Sequence, residues 1–200
     1  HSLELIDAYG CGVTAATKSD LIVQDIDILS SIQSHSPVIC KITITTTDDT
    51  LAAKVEPRAP APSRRLAALE KLSGAGLFAG VLLMPVLPFL EDSDENVLSV
   101  VEQAAMAGAK FIYPALGVTM RQGQREYFLD GLERAFPGQG LKERYLRQYG
   151  DRYQCASPRA RTLWRVFTEA CRERGVLYDM KSIIRAATLG YGDRQLTFFD

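Results

Sequence analysis

Two short β-type runs set among helical segments constrain this chain more than any other feature. Residues 38–45 are dense in β-branched side chains, and residues 78–84 are almost wholly apolar. These are the patterns of a half-covered strand and of a strand covered on both faces. Between them the hydrophobic spacing changes to the helical period. Leu21, Ile22, Ile26, Leu29 and Ile32 fall on one face of a helix predicted over 20–33, with Ser19 as its cap. Shorter or similar helices are predicted from Asp48 to Val55, over 63–73, and from Ser93 to Ala107. Residues 12–17 and 110–114 supply two further strands. The prolines of Glu56-Pro57-Arg58-Ala59-Pro60-Ala61-Pro62 exclude helix and predict an extended loop. Four strands separated by helices imply a parallel sheet with right-handed crossovers, either part of a barrel or an open doubly wound sheet.

Beyond Pro114 the strand signal stops. Helices are predicted over 121–136, 141–149, 158–174 and 179–189, the third with Ser157 as cap and Pro158 in its first turn. The expected architecture is therefore α/β: parallel strands over 1–118, forming part of a barrel or a doubly wound sheet, and an all-helical C-terminal extension over 119–200 packed on them.

Composition narrows the function classes. With 46% hydrophobic residues, 200 residues suit one domain with a substantial core. The apolar run 77–90 is broken by Pro85 and Pro88 and is too short to span a bilayer, so no membrane partner is expected. Residues 2–9 already carry Glu4 and Asp7, unlike a signal peptide. The four widely separated cysteines read as reduced thiols of a cytoplasmic protein. Charge is uneven: residues 1–120 carry a net −6 and residues 121–185 a net +6. The basic segment is either a face for DNA or a solvated helical surface.

Ligands of parallel α/β sheets bind beyond the carboxyl ends of the strands. That rule selects Thr17-Lys18-Ser19, Thr45-Thr46-Thr47, Met84-Pro85 and Tyr113-Pro114. Lys18 is placed to neutralise a ligand carboxylate or phosphate, or is an exposed turn lysine. Lys41, Thr43 and Thr45 share one strand face, which either meets a polar cofactor or is simply wet. Arg58 in the proline loop is a second candidate for an anion, and Glu56 is given only a local pairing role. Tyr145, Tyr149 and Tyr153, interleaved with Arg144, Arg147 and Arg152, either hold unstacked bases or form a buried seam. No P-loop, HExxH, GxGxxG or Ser/His/Asp order occurs, and no histidine accompanies any thiol as a catalytic partner.

Four ordered stretches carry a resemblance. They are Ala16-Thr17-Lys18-Ser19-Asp20, Lys41-Ile42-Thr43-Ile44-Thr45-Thr46-Thr47-Asp48, and Glu56-Pro57-Arg58-Ala59-Pro60 followed by Arg65-Leu66, Leu69 and Gly76. The fourth is Gly80-Val81-Leu82-Leu83-Met84-Pro85-Val86-Leu87-Pro88 before Glu91-Asp92. In this order the chain resembles the radical S-adenosylmethionine (SAM) proteins related to spore photoproduct lyase. Tyr153-Gln154-Cys155-Ala156-Ser157-Pro158 and Gly190-Tyr191-Gly192-Asp193 resemble the bacterial branch of that group.

The resemblance implies a partial (βα)6 barrel of the radical SAM type. Its activity is reductive cleavage of SAM by a [4Fe–4S] cluster to a 5′-deoxyadenosyl radical. In spore photoproduct lyase the substrate is a thymine dimer in DNA. It implies that Lys18 contacts the SAM carboxylate and that Thr43 or Thr45 stands where the family has a serine near the methionyl or ribose part. Met84 and Tyr113 would lie against adenine; no catalytic residue is assigned. The family's CxxxCxxC motif does not occur in these 200 residues, and three thiolates are needed to hold the cluster. The chain is therefore expected to be the C-terminal two-thirds of a parent enzyme, without a cluster and inactive as it stands. An interrupted barrel would also leave an exposed sheet edge prone to self-association. Two alternatives remain: a non-catalytic nucleic-acid-binding α/β module using 121–185, and a metal-free barrel enzyme with Lys18 as a Schiff base.

Overall fold

The structure is a computed structural model that describes residues 1–192. Asp193 of the Gly190-Tyr191-Gly192-Asp193 motif lies outside the described residues. Helix α1 (Ser2–Ala8) precedes β1 (Val13–Thr17), and a 3₁₀ turn (Asp20–Asp25) leads into α2 (Ile26–Gln33) and β2 (Val38–Thr43). Then come α3 (Asp49–Val55), α4 (Pro62–Gly74), β3 (Ala79–Leu83), α5 (Asp94–Met106) and β4 (Phe111–Pro114). The four strands are parallel and lie in the order β1-β2-β3-β4.

That order, with one helical face, decides between the two architectures left open. Cys40, Ile42, Val81, Leu83 and Ile112 share a core with Leu29, Ile32, Leu69, Leu72, Val97 and Val101, from α2, α4 and α5. A doubly wound sheet would have helices on both faces. Here the opposite face carries Lys41 and Thr43, in register with Ala16, Gly80 and Leu82, as the inner wall of a barrel segment does. Among the described residues the sheet does not close into a barrel. Gly80 is needed on this inner face. A Cβ there would sit 2.4 Å from the Phe111 carbonyl and 2.6 Å from its ring.

The two edges of the sheet differ. At β4, the Ile112 amide donates to the Leu177 carbonyl (2.8 Å) and the Leu177 amide to the Lys110 carbonyl (3.1 Å), so that edge is partly paired. At β1 no further strand pairs among the described residues, and Thr14 and Ala16 are exposed.

The C-terminal part corrects the all-helical expectation. It contains α6 (Gln124–Ala135), α7 (Leu141–Tyr149), α8 (Ala160–Glu173) and α9 (Met180–Thr188), but also β5 (Gly117–Thr119) paired antiparallel with β6 (Gln154–Ala156). Strands of three residues hold too few positions for alternation to show. Ser157 is not the regular cap of α8. Its hydroxyl accepts from the Arg159 amide and donates to Asp92. α8 packs against α5 and joins the main core. α6 and α7 form a second core with Leu51, Val55, Phe89 and Leu90, and so sit over the carboxyl ends of the strands.

The crowding at Gly80 predicts that Gly80→Ala lowers stability by about 2 kcal/mol, measured by urea unfolding. The unpaired β1 edge predicts concentration-dependent association of the chain, and clean monomer behaviour in sedimentation velocity would contradict it.

Candidate functional site

The strand ends converge on a network built around a buried arginine. Arg65 on α4 is 1% exposed. Its Nε donates to the Pro60 carbonyl (2.7 Å), Nη1 to the Thr43 carbonyl (3.0 Å) and Nη2 to Glu56 Oε2 (2.6 Å). A desolvated guanidinium needs that many acceptors, because its charge has no water to lean on. The bond to Thr43 satisfies a carbonyl of β2 that lies past the last residue paired with β1.

Glu56 closes α3 and is the meeting point of two cations. Lys18, one residue past β1, donates its Nζ to Glu56 Oε1, while Arg65 holds Oε2. Burial alone would push the Glu56 carboxyl up, but the hydrogen bonds from Lys18 and Arg65 outweigh it and hold it below the usual range. The carboxylate therefore stays charged.

A second carboxylate behaves oppositely. Glu91, in the loop after β3, is 1% exposed. It accepts from the Thr45 hydroxyl (2.7 Å) and from the Leu87 amide (2.9 Å). Burial raises its pKa to about 7, and Glu56 pushes in the same direction while Lys18 opposes. The two carboxylates thus lie within electrostatic reach of one another. Asn96 ties the two sides of the rim, donating to the carbonyls of Thr45 and Glu91 at 2.8 Å each.

The helical layer grips the same loop. Tyr145 donates its hydroxyl to the Pro88 carbonyl (2.8 Å), and the Arg144 guanidinium lies 4.0 Å from the centre of the Phe89 ring. Phe89 adopts φ +68, a left-handed conformation that an aromatic residue holds only when its surroundings impose it. Its amide donates to Asp92 Oδ1 (2.6 Å), and Arg159 donates to the Asp92 carbonyl (3.1 Å).

No family model matches the chain. Uncharacterized proteins of Mycobacterium tuberculosis and Mycobacterium bovis are each 32% identical over 142 residues, covering 71% of this chain and 41% of theirs. An uncharacterized protein of Acidianus two-tailed virus is 33% identical over 100 residues, covering 48% of this chain and 33% of its own. The chain thus spans about two fifths or less of the curated relatives it matches. Among solved structures, spore photoproduct lyase complexed with dinucleoside spore photoproduct matches with a TM-score of 0.61 at 16% identity. A mutant of that lyase with bound AdoMet and the same dinucleoside matches with 0.61 at 15%. Each covers 88% of this chain and 54% of the lyase.

This chain shares the fold of spore photoproduct lyase. Within that fold the five residues singled out from sequence do not form one set. Lys18 and Thr43 are joined through Glu56 and Arg65. The Thr45 hydroxyl is committed to Glu91. Met84, which forms a cis peptide with Pro85, and Tyr113 are both half-buried at the ends of adjacent strands. Arg58 is exposed and makes no ion pair among the described residues. The tyrosine series resolves as a seam: Tyr145 and Tyr149 are buried, and only Tyr153 is half exposed. Several cations of the basic segment are spent internally, as in Arg159–Asp94 (2.9 Å) and Lys142–Asp130 (2.7 Å).

The four thiols are not arranged for a cluster. Cys40 and Cys171 lie in the main core, where burial pushes them up to about 11 and about 12, Cys155 lies in the second core, and Cys11 is exposed. Among the described residues no three His, Cys, Asp or Glu side chains are grouped to hold a metal ion. The residues present do not fit a [4Fe–4S] cluster.

Glu91 yields a pH prediction. Its pKa of about 7 in the folded chain lies above the ordinary unfolded value, so the folded state binds the extra proton. Its contribution to stability is greatest in acid and is lost as pH rises through about 7. Glu91→Gln keeps the shape without the charge. Relative to the parent it should gain on the order of 1–3 kcal/mol between pH 5 and pH 8, read from urea unfolding at each pH.

Proposed function

We propose that this chain is the SAM-holding part of a radical SAM enzyme whose substrates are nucleic-acid lesions. The cluster would be held by a CxxxCxxC segment that these 200 residues do not contain. The observation that carries the reading is the Lys18–Glu56 pair standing on Arg65 at the strand ends. The amino-acid end of SAM has one anion and one cation. Lys18 is suited to its carboxylate and Glu56 to its ammonium, so binding exchanges one ion pair for two complementary ones. Arg65 keeps Glu56 in place when Lys18 turns to the ligand, which limits the ordering cost of binding.

Thr43, beside this pair on the inner face, and Met84 and Tyr113, at the ends of β3 and β4, are the residues proposed for the rest of the cofactor. When bound, SAM would supply radical hydrogen-abstraction chemistry, at a cluster held by residues other than these. The chain's own residues bind and orient; none is assigned to bond making, and the chain alone is expected not to cleave SAM. The likeness to a lyase solved with AdoMet and a dinucleoside photoproduct supports the same reading. The Schiff-base reading of Lys18 is disfavoured, because an amine donating to a carboxylate is not free to attack a carbonyl.

Isothermal titration of the chain with SAM tests this. Lys18→Ala and Glu56→Gln should each weaken binding by about tenfold or more, the effect of removing one charge-assisted hydrogen bond. Binding that is absent in the parent chain, or unchanged in both variants, would refute it. In the protein extended to include the cysteine motif, reduced and kept anaerobic, Lys18→Ala should lower 5′-deoxyadenosine release to a similar extent.

A further inference from the structure

Beside the rim, between α3 and α6, lies an open cleft of about 370 Å3. Its walls are mostly apolar, with Tyr127, Phe128 and Phe136 from the α6 side, and it is flanked by Lys54 and Arg134. The Lys54 ammonium lies 5.6 Å from the centre of the Phe136 ring. Neither cation has a carboxylate partner among the described residues. Asp130, one turn before Arg134 on α6, is bonded by Lys142 at 2.7 Å, and Arg134 acts on it only at longer range. Phe128 is fixed edge-on against Tyr145 with ring centres 5.3 Å apart, whereas Tyr127 is 75% exposed.

The cleft contains a glycine that packing does not require. Gly131 sits inside α6, where glycine is the poorest helix former after proline. A Cβ there would meet nothing closer than the Arg134 Nη2 at 4.0 Å, and its φ is not in the left-handed range. What the missing side chain provides is depth in the cleft.

Aromatic walls with two cations that make no contact ion pair suit a flat ring that carries an anion. A nucleotide unit has that chemistry, and its base stacks on aromatic side chains whatever its identity. The location agrees. Pro57 and Leu87 also line the cleft; Pro57 follows Glu56, and the Leu87 amide is held by Glu91. A strand whose lesion lies at the rim would have a neighbouring nucleotide here. α6 belongs to the 121–185 segment of net charge +6, although its own residues carry two arginines against three acids.

We propose that this cleft receives one unpaired base of a single-stranded nucleic acid, with the ring against Tyr127 and Phe128 and a flanking phosphate on Lys54 and Arg134. It extends the reading above, taking from it only that nucleic acid is the substrate class.

The test is fluorescence anisotropy of the chain with fluorescein-labelled oligothymidylate, without SAM, so that failure of either proposal is visible independently of the other. Tyr127→Ala should weaken binding by about tenfold or more, as loss of a stacking platform does. Gly131→Leu fills the cleft, and should do the same while its melting temperature stays at or above the parent's. Lys54→Ala and Arg134→Ala should each reduce the slope of log affinity against log salt by about 0.7. Arg161→Ala, an equal loss of charge on α8 outside the cleft, should change affinity less than Arg134→Ala does. The proposal is overturned if the parent chain does not bind the oligonucleotide, if Gly131→Leu binds as well as the parent, or if Arg161→Ala matches Arg134→Ala. It is also overturned if laurate displaces the oligonucleotide more effectively than thymidine monophosphate, which would mark an acyl site.

Discussion

A single desolvated guanidinium organises the carboxyl end of this sheet. Arg65 cannot stay buried without acceptors, and it draws them from three separate segments: the end of β2, the proline loop and the end of α3. Removing one partner of a buried charge pair costs about 3–5 kcal/mol in typical proteins. That scale is enough to hold the end of β2 against the loop after α3. Glu56 is aimed as a consequence, and Lys18 is aimed by Glu56.

The two rim carboxylates show how surroundings divide similar groups into different roles. Glu56 has two cations and remains an anion, whereas Glu91 has a hydroxyl and an amide and is pushed toward neutrality by burial. Neutral donors stabilise a carboxylate less than charged ones do. One end of the rim therefore presents fixed opposite charges, and the other presents a group that changes charge around neutral pH.

Much of the fold was readable from residue patterns, because strands 38–43 and 79–83 and the helices between them bury one periodic face each. The split of 20–33 into a 3₁₀ turn and a helix was not, since both conformations bury Ile22 and Leu29 at compatible spacing. Thr45 alternates correctly with Thr43, yet it lies past the strand and turns its hydroxyl to Glu91. Arg65 did leave a signal. Pro62, Ala68, Leu69 and Leu72 are buried at three, three, four and seven residues from it, so it occupies the core-facing side of α4, while Arg64 beside it faces solvent and pairs with Asp20 at 2.6 Å. A charge on an apolar side is more informative than one among charges. Glu91 left none, because a proline-rich loop has no period to violate. The likeness in motif order pointed to the lyase fold.

The loop that carries Glu91 and Asp92 is clasped by residues that come much later in the chain. Ser157 bonds to Asp92 across 65 positions, and Tyr145 reaches Pro88 across 57. During synthesis all four parallel strands are made before either clasp. At about 5–20 residues per second, the 31 to 43 residues from the end of β4 to the two clasps take on the order of 2–9 s. For that time the nascent chain holds a finished sheet with a slack rim, and the pocket's final shape arrives only with its last third.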